Sequence, residues 1–279
     1  MKHKKNPTES QDQKAESFND FLRDQKKSGK LRNWDDRKTI ANDLDKLCSQ
    51  ISGLEKYGEM MRWCGKDLEF EGCPILEHGK KLTRANFCKY RMCPMCQPRK
   101  ASKVRQEVFD LAKAHLDQYP DDIPILLTLT IPNIKGKDIG KTIDLLMKAF
   151  ERLTKRKAVR QMNRSWFKSL EITKNHERGD FHPHFHMMLM VPPEYFHPNS
   201  PLYITHEQWL KLWQEAMRDS SITQVDIRVI KETGERKLEA IIAEVAKYAT
   251  KPSSYVYKDK NGKVIYDMEA FEDLHYGLK

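Results

Sequence analysis

Glu171, His184, His186, Glu244 and Tyr248 form an ordered set whose types and spacing could break a phosphodiester bond. Thirteen residues after Glu171, the run HPHFHMMLMV carries His184 and His186 two positions apart. Two neutral imidazoles and a carboxylate would hold a cation and leave coordination positions for water and a phosphate oxygen, as a catalytic metal requires. A cation there would polarise the phosphate and offset the charge developing on it. By ligand softness Mn²⁺ should bind well, with Mg²⁺ as the abundant cellular ion. Further on, EVAKYATK puts Glu244 and Tyr248 one helical turn apart, with Lys247 and Lys251 beside them. A tyrosine nucleophile keeps the energy of the broken bond in a phosphotyrosine, so a strand can be rejoined without ATP. Free tyrosine has a pKa of about 10 and needs help from a polarised phosphate, a base or a cation. Lys251 and Lys247 are the candidate cations. Each part alone has a plainer reading: surface histidines, a glutamate paired with a lysine, a rim aromatic. Tyr255 and Tyr257 compete with Tyr248, but they lie beyond Pro252 and off the helix.

These side chains need elements that bring them together. Residues 125–131 (ILLTLTI), 166–173, 181–191 and 222–230 read as strands, the middle two joined by the polar loop KNHERGD. Residues 138–157 repeat Ile139, Ile143, Leu146, Phe150 and Leu153 as a helical stripe. Thr205 with Gln208 makes a capping box for a helix through Met217. Residues 238–250 are the last clear helix, with Leu238, Ile241, Ile242, Val245 and Ala249 on its buried side. This order is the split βαβ plan, an antiparallel sheet with helices on one face in the ferredoxin or RRM manner, so the fold class is α+β.

Strand parity tests that plan, because successive side chains face opposite ways. One parity collects Ile125, Leu127, Leu129, Leu170, Ile172, Phe185, Met187, Leu189, Val225, Ile227 and Val229. The other collects Thr128, Thr130, Ser169, Glu171, His184, His186, Gln224, Asp226 and Arg228, an open polar face. If the loop turns near Glu177 and Arg178, Glu171 pairs with His184 across the hairpin, and cross-strand Cβ atoms lie about 5 Å apart. His182 shares the parity and sits at the mouth, as a phosphate contact or a bystander.

A second constellation lies upstream. FCKYRMCPMCQPRKA spaces Cys88, Cys93 and Cys96 as C-x4-C-x2-C, a thiolate corner for structural Zn²⁺ that needs a fourth ligand. Cys73 and His78 are alternatives to Cys64 for it, and Cys48 is expected to stay a free thiol. Arg91, Arg99, Lys100, Lys103 and Arg105 surround the knuckle and the following helix (about 99–118, with Val104, Val108, Leu111 and Ala112 on one side), as DNA backbone contacts or as a solvated face. The chain has 279 residues and a formal net charge of +10, which fits a phosphate-binding protein without requiring one. No stretch approaches the roughly 20 apolar residues of a membrane span. MKHKKNPTESQDQKAES lacks the apolar core of a secretory signal, so a cytoplasmic protein with reduced cysteines is expected.

The set resembles the HUH endonucleases, whose two histidines flank a bulky apolar residue, here Phe185. Within them it is most similar to the replication initiators of rolling-circle plasmids. The likeness runs from about Cys64 to Lys251, and TLTIPN at 128–133 resembles those initiators' first motif. Conjugative relaxases carry the tyrosine ahead of the histidines, whereas here Tyr248 follows them. The resemblance implies nicking of one origin strand, a 5′-phosphotyrosyl link and a free 3′-OH primer. It implies a second cleavage in which Glu244 activates water, and it supports Cys64 as the fourth zinc ligand. The expected partners are single-stranded or hairpin origin DNA, a host helicase and a host polymerase.

The expected organisation is a disordered polar arm over 1–17 and a helical, cysteine-rich zinc and DNA-binding region over 18–120, helical in pattern from Phe18 to about Tyr57. An HUH endonuclease domain over 121–254 and a C-terminal tail or hairpin over 255–279 complete it. Three other functions fit part of the pattern. A single-tyrosine HUH transposase shares the site. A non-catalytic zinc-containing DNA-binding protein would use only the knuckle. A non-haem iron oxygenase would use the two histidines and the carboxylate but has no need of the tyrosine–glutamate pair.

Overall fold

The chain divides near the start of its longest described helix, with one unit running through Pro98 and the other from Arg99. The computed structural model describes residues 23–25, 31–72, 81–229, 234–246 and 251–279. The arm expected over 1–17 lies outside them.

In the first unit, β1 (Arg23–Gln25) and β2 (Leu31–Asn33) pair antiparallel and lead into α1 (Trp34–Cys48) and α2 (Glu55–Trp63). Of the span expected to be helical from Phe18, residues 18–22 and 26–30 lie outside the described residues, while 23–25 and 31–33 form the ribbon and helix is described from Trp34. Trp34, Ala41, Leu44 and Cys48 form the buried stripe of α1. The two helices cross closely at Gly58, where a Cβ would lie 2.8 Å from Cys48 Cβ. Cys48 is a free buried thiol, as expected, and burial with the Asp45 charge pushes its pKa up to about 12. A second ribbon, β3 (Leu68–Glu71) with β4 (Lys81–Ala85), follows.

The second unit takes up most of α3 (Cys96–Gln118) and then builds the expected plan: β5 (Ile123–Thr130), α4 (Ile139–Thr154), α5 (Lys157–Met162), β6 (Ser165–Asn175), β7 (Asp180–Val191), α6 (His206–Met217) and β8 (Val225–Val229). The sheet runs β6-β7-β5-β8 with every neighbour antiparallel, the split βαβ arrangement. Beyond it come α7 (Gly234–Val245), the ribbon of β9 (Val256–Lys258) and β10 (Val264–Tyr266), and α8 (Met268–Gly277).

The apolar parity packs as expected. Ile125, Leu127, Leu129, Phe185, Met187, Leu189 and Val225 meet Leu146, Phe150 and Leu153 of α4 and Trp209 and Trp213 of α6. The Thr205–Gln208 capping box starts α6, and Trp213 Nε1 donates to the Thr130 carbonyl at 2.7 Å, pinning the end of β5. Two expectations fail. Val229 is 48% exposed because it ends an edge strand, and Leu111 is 69% exposed because it falls beside the Val108–Ala112 stripe of α3.

The opposite face is less open than parity implies. Leu126, Met188 and Met190 share that face and form a second core with Val108 and Ala112 of α3 and with Leu238, Ile241, Ile242, Val245 and Ala246. Helices α3 and α7 thus cover one end of the polar face and leave the histidine end beside an apolar wall. Among the described residues, no helix is long and apolar enough to cross a membrane.

Candidate metal centres

Strand register alone brings the first three residues together. Glu171 pairs with His184, while Ser169 and Thr128 flank His186 from the two neighbouring strands. The hairpin turns over residues 176–179, where Gly179 takes φ +68°, so the expected register holds. All three side chains are buried: Glu171 is 2% exposed, His184 8% and His186 7%.

His184 Nδ1 lies 3.1 Å from the His182 carbonyl, which can only accept, so the ring's free electron pair sits on Nε2. His186 Nδ1 lies 3.3 Å from the Thr128 hydroxyl. The two Nε2 atoms are 3.1 Å apart, and Glu171 Oε2 lies 3.3 Å from the first and 2.9 Å from the second. With both Nε2 atoms unprotonated, three electron-pair donors face one point. An octahedral ion with bonds of about 2.1 Å spaces adjacent ligands about 3.0 Å apart, so the triangle fits such an ion with one face left open. The donor set also matches: each imidazole is oriented by a hydrogen bond at its other nitrogen, as metal-bound histidines are.

Burial opposes ionisation of Glu171, but its contacts with His184, His186 and Lys251 outweigh it and hold the carboxyl below its usual range. Lys251 Nζ pairs with Glu171 Oε1, a contact that sequence reasoning missed when it gave this lysine to phosphate or phenolate. His182 is half-buried, its pKa lowered first by burial and then by His184, and it contributes no atom to the ligand triangle. Glu244 is half-buried on α7, off the stripe of Leu238, Ile241, Ile242 and Val245. Tyr248, Lys247 and Ala249 lie outside the described residues.

The cysteines make a second cluster. The sulfurs of Cys64, Cys88, Cys93 and Cys96 all lie within 4.8 Å of one another, so Cys64 joins the group. Cys73 and His78 lie outside the described residues. Cys64 Sγ and Cys88 Sγ stand 3.4 and 3.7 Å from Cys96 Sγ. A disulfide would need about 2.0 Å, whereas a tetrahedral zinc with bonds of about 2.3 Å needs about 3.8 Å. Hydrogen bonds from the other three sulfurs favour the Cys88 thiolate and hold its pKa below the ordinary range. Gly65 follows Cys64 at φ +67°, a turn where a side chain would be strained.

The first helix buttresses this cluster, for which its sequence had offered no motif. Arg37 donates to the Pro94 carbonyl inside the knuckle at 3.2 Å. Lys38 donates to the carbonyls of Arg62 and Cys64 at 2.5 and 2.8 Å. Burial lowers the Lys38 pKa while the charges of Cys64, Cys93 and Cys88 pull it back up. Arg91 is exposed at the knuckle turn, and Arg99, Lys100, Lys103 and Arg105 are exposed along α3.

Comparison with known proteins gives one consistent result. A family model described as "Replication protein" matches residues 79–279. "Protein rep" of Streptococcus pneumoniae serotype 2 (strain D39 / NCTC 7466) is 33% identical over 267 residues, covering 95% of this chain and 80% of that one. "Protein rep" of Bacillus amyloliquefaciens is 34% identical, covering 88% and 77%. "Protein rep" of Staphylococcus aureus is 35% identical, covering 72% and 85%. No solved structure matches. The matched span contains the histidine triangle, the last three cysteines of the cluster and the sequence through Tyr248, and the chain belongs to the Rep family of replication proteins, the rolling-circle plasmid initiators that its motifs resemble.

Proposed function

We propose that the chain initiates rolling-circle replication by nicking one strand of its origin and linking itself to the new 5′ end. The observation that carries this reading is the convergence of Glu171 Oε2, His184 Nε2 and His186 Nε2 on one buried point at the end of the sheet. Mg²⁺ or Mn²⁺ held there would supply polarisation of the scissile phosphate and neutralisation of its developing charge. The Tyr248 hydroxyl attacks phosphorus and forms the Tyr Oη–P bond. The P–O3′ bond breaks, its electron pair stays on O3′, and the tyrosine's proton is made up there to give the 3′-OH primer. At termination Glu244 takes a proton from water, whose oxygen attacks phosphorus at the regenerated site; the P–O3′ bond breaks and O3′ leaves with that proton as a 3′-OH, so hydrolysis replaces a second covalent link. Arg91, Arg99, Lys100 and Lys103, together with Lys247 and His182, would contact the DNA backbone. A host helicase and polymerase would follow from this role.

The test is incubation with single-stranded and hairpin origin oligonucleotides and Mn²⁺. A covalent protein–DNA adduct with release of a 3′-OH fragment is expected. Sequence-specific binding without any adduct would instead make the chain a non-catalytic DNA-binding protein.

We also propose that Cys64, Cys88, Cys93 and Cys96 hold one structural Zn²⁺ per chain. The first unit is small, and a metal-closed cluster of this kind contributes folding energy directly. Cys93→Ser or Cys96→Ser should lose the zinc and the protease resistance of the segment around it. Elemental analysis that finds no zinc in protein purified without chelator would remove the assignment.

A further inference from the structure

The segment from Lys251 to Lys279 reaches the histidine site through a series of specific contacts. Lys174, near the tip of the β6–β7 hairpin, is only 7% exposed and pairs with Asp267 at 2.7 Å. Asp267 also accepts from Ala270 N at 2.9 Å and so caps α8. His176 Nε2 donates to the Ser253 carbonyl at 2.8 Å, and its ring stacks on Tyr257 with centroids 3.8 Å apart. The Asp267 amide donates to the Tyr255 carbonyl at 2.8 Å, tying the ribbon to the turn before it. At the far end, Gly277 packs so closely on α4 that a Cβ would stand 2.5 Å from Ile139 Cγ2. The chain is fastened at the hairpin tip and at the start of α4. Lys251, its first described residue, lies against Glu171 Oε1.

The pairing divides the two oxygens of one carboxylate. Oε2 faces both imidazoles and Oε1 faces the ammonium. A glutamate with both oxygens free can take two coordination positions on a divalent ion; one with an oxygen held by lysine takes one. The ammonium also repels any cation in the triangle. We propose that residues 251–279 form a clamp that seats Lys251 on Glu171 Oε1, keeping Glu171 a one-oxygen ligand so that the centre stays weakly bound and open to phosphate. This rests on the metal-centre reading above and gives Lys251 a positioning role instead of a phosphate contact. Hairpin residues Lys174 and His176 are then part of the same device.

The signature is unusual for a supporting residue: removing it tightens metal binding and slows the reaction. In the full chain, Lys251→Met should bind Mn²⁺ on the order of tenfold more tightly by calorimetry, from the loss of one repelling charge. It should cleave the origin oligonucleotide more slowly at saturating Mn²⁺. Asp267→Asn, which keeps the helix cap but loses the ion pair, should shift both readouts the same way. The double variant should go no further than Lys251→Met. Lys251→Arg should restore wild-type Mn²⁺ affinity.

Unchanged or weaker Mn²⁺ binding by Lys251→Met overturns the proposal, as does an Asp267→Asn protein indistinguishable from wild type. A drop in single-stranded DNA affinity of Lys251→Met in EDTA assigns the lysine to phosphate and overturns it too. His186→Ala separates the two levels of inference. If that protein binds Mn²⁺ like the wild type, the metal centre itself is wrong; if it loses Mn²⁺ while Lys251→Met is unchanged, only the clamp is wrong.

Discussion

His186→Ala should lose origin cleavage by a factor on the order of 10³ or more, the range expected when electrostatic stabilisation of a phosphoryl transition state is removed. His186 is the best placed of the three donors for this test. Its Nε2 makes the shorter of the two imidazole contacts to Glu171 Oε2 and also meets His184 Nε2. Mn²⁺ binding by calorimetry should disappear with activity. The fold should survive, because the interactions lost are polar ones at the end of the sheet. Phe185 beside it stays buried against Phe150, with ring centroids 5.5 Å apart. The lost hydrogen bonds and packing should cost about 1–3 kcal/mol in urea denaturation. Glu171→Ala and His184→Ala should behave alike in cleavage and metal binding. An active His186→Ala protein would refute the role of the triangle.

Tyr248→Phe and Glu244→Ala should fail at different steps. Phenylalanine removes only the hydroxyl, so DNA binding and folding should persist while the 5′-phosphotyrosyl adduct disappears altogether. Glu244→Ala should still nick and still form that adduct, because the first attack uses the tyrosine. It should stall when water must be activated, leaving over-replicated or covalently trapped product. The one-turn spacing of the two residues motivates this, since groups four apart on a helix share a face. Helix α7 runs through Val245 and Ala246 is in a turn, the last residue described before Lys251, with the stripe that packs on the sheet already formed. Mass spectrometry of the trapped complex is the measurement. An adduct on Tyr255 is disfavoured, since that side chain is fully buried against Phe271. An adduct on Tyr257, or normal termination by Glu244→Ala, would overturn the mechanism.

Sequence by itself determined the features that repeat with a short period. Alternation in four strands placed Glu171, His184 and His186 on one face, and the length of KNHERGD put Glu171 opposite His184. Both follow from the two-residue period of a strand and the symmetry of a hairpin, which are local properties. The cysteine spacing named three sulfurs, and the resemblance supplied the fourth. Tertiary structure alone decided what meets across long intervals. The Lys251–Glu171 pair, the grip of Lys174 and His176 on the last segment, and the buttressing of the cysteines by Arg37 and Lys38 join residues with no shared period. The same is true of the covering of the polar face: Leu126, Met188 and Met190 alternate with its histidines and threonines, but only the docking of α3 and α7 shows that they are core. A strand's pattern records which side a residue faces. What will be packed against that side depends on chain closure over a hundred residues, which single-strand periodicity does not encode.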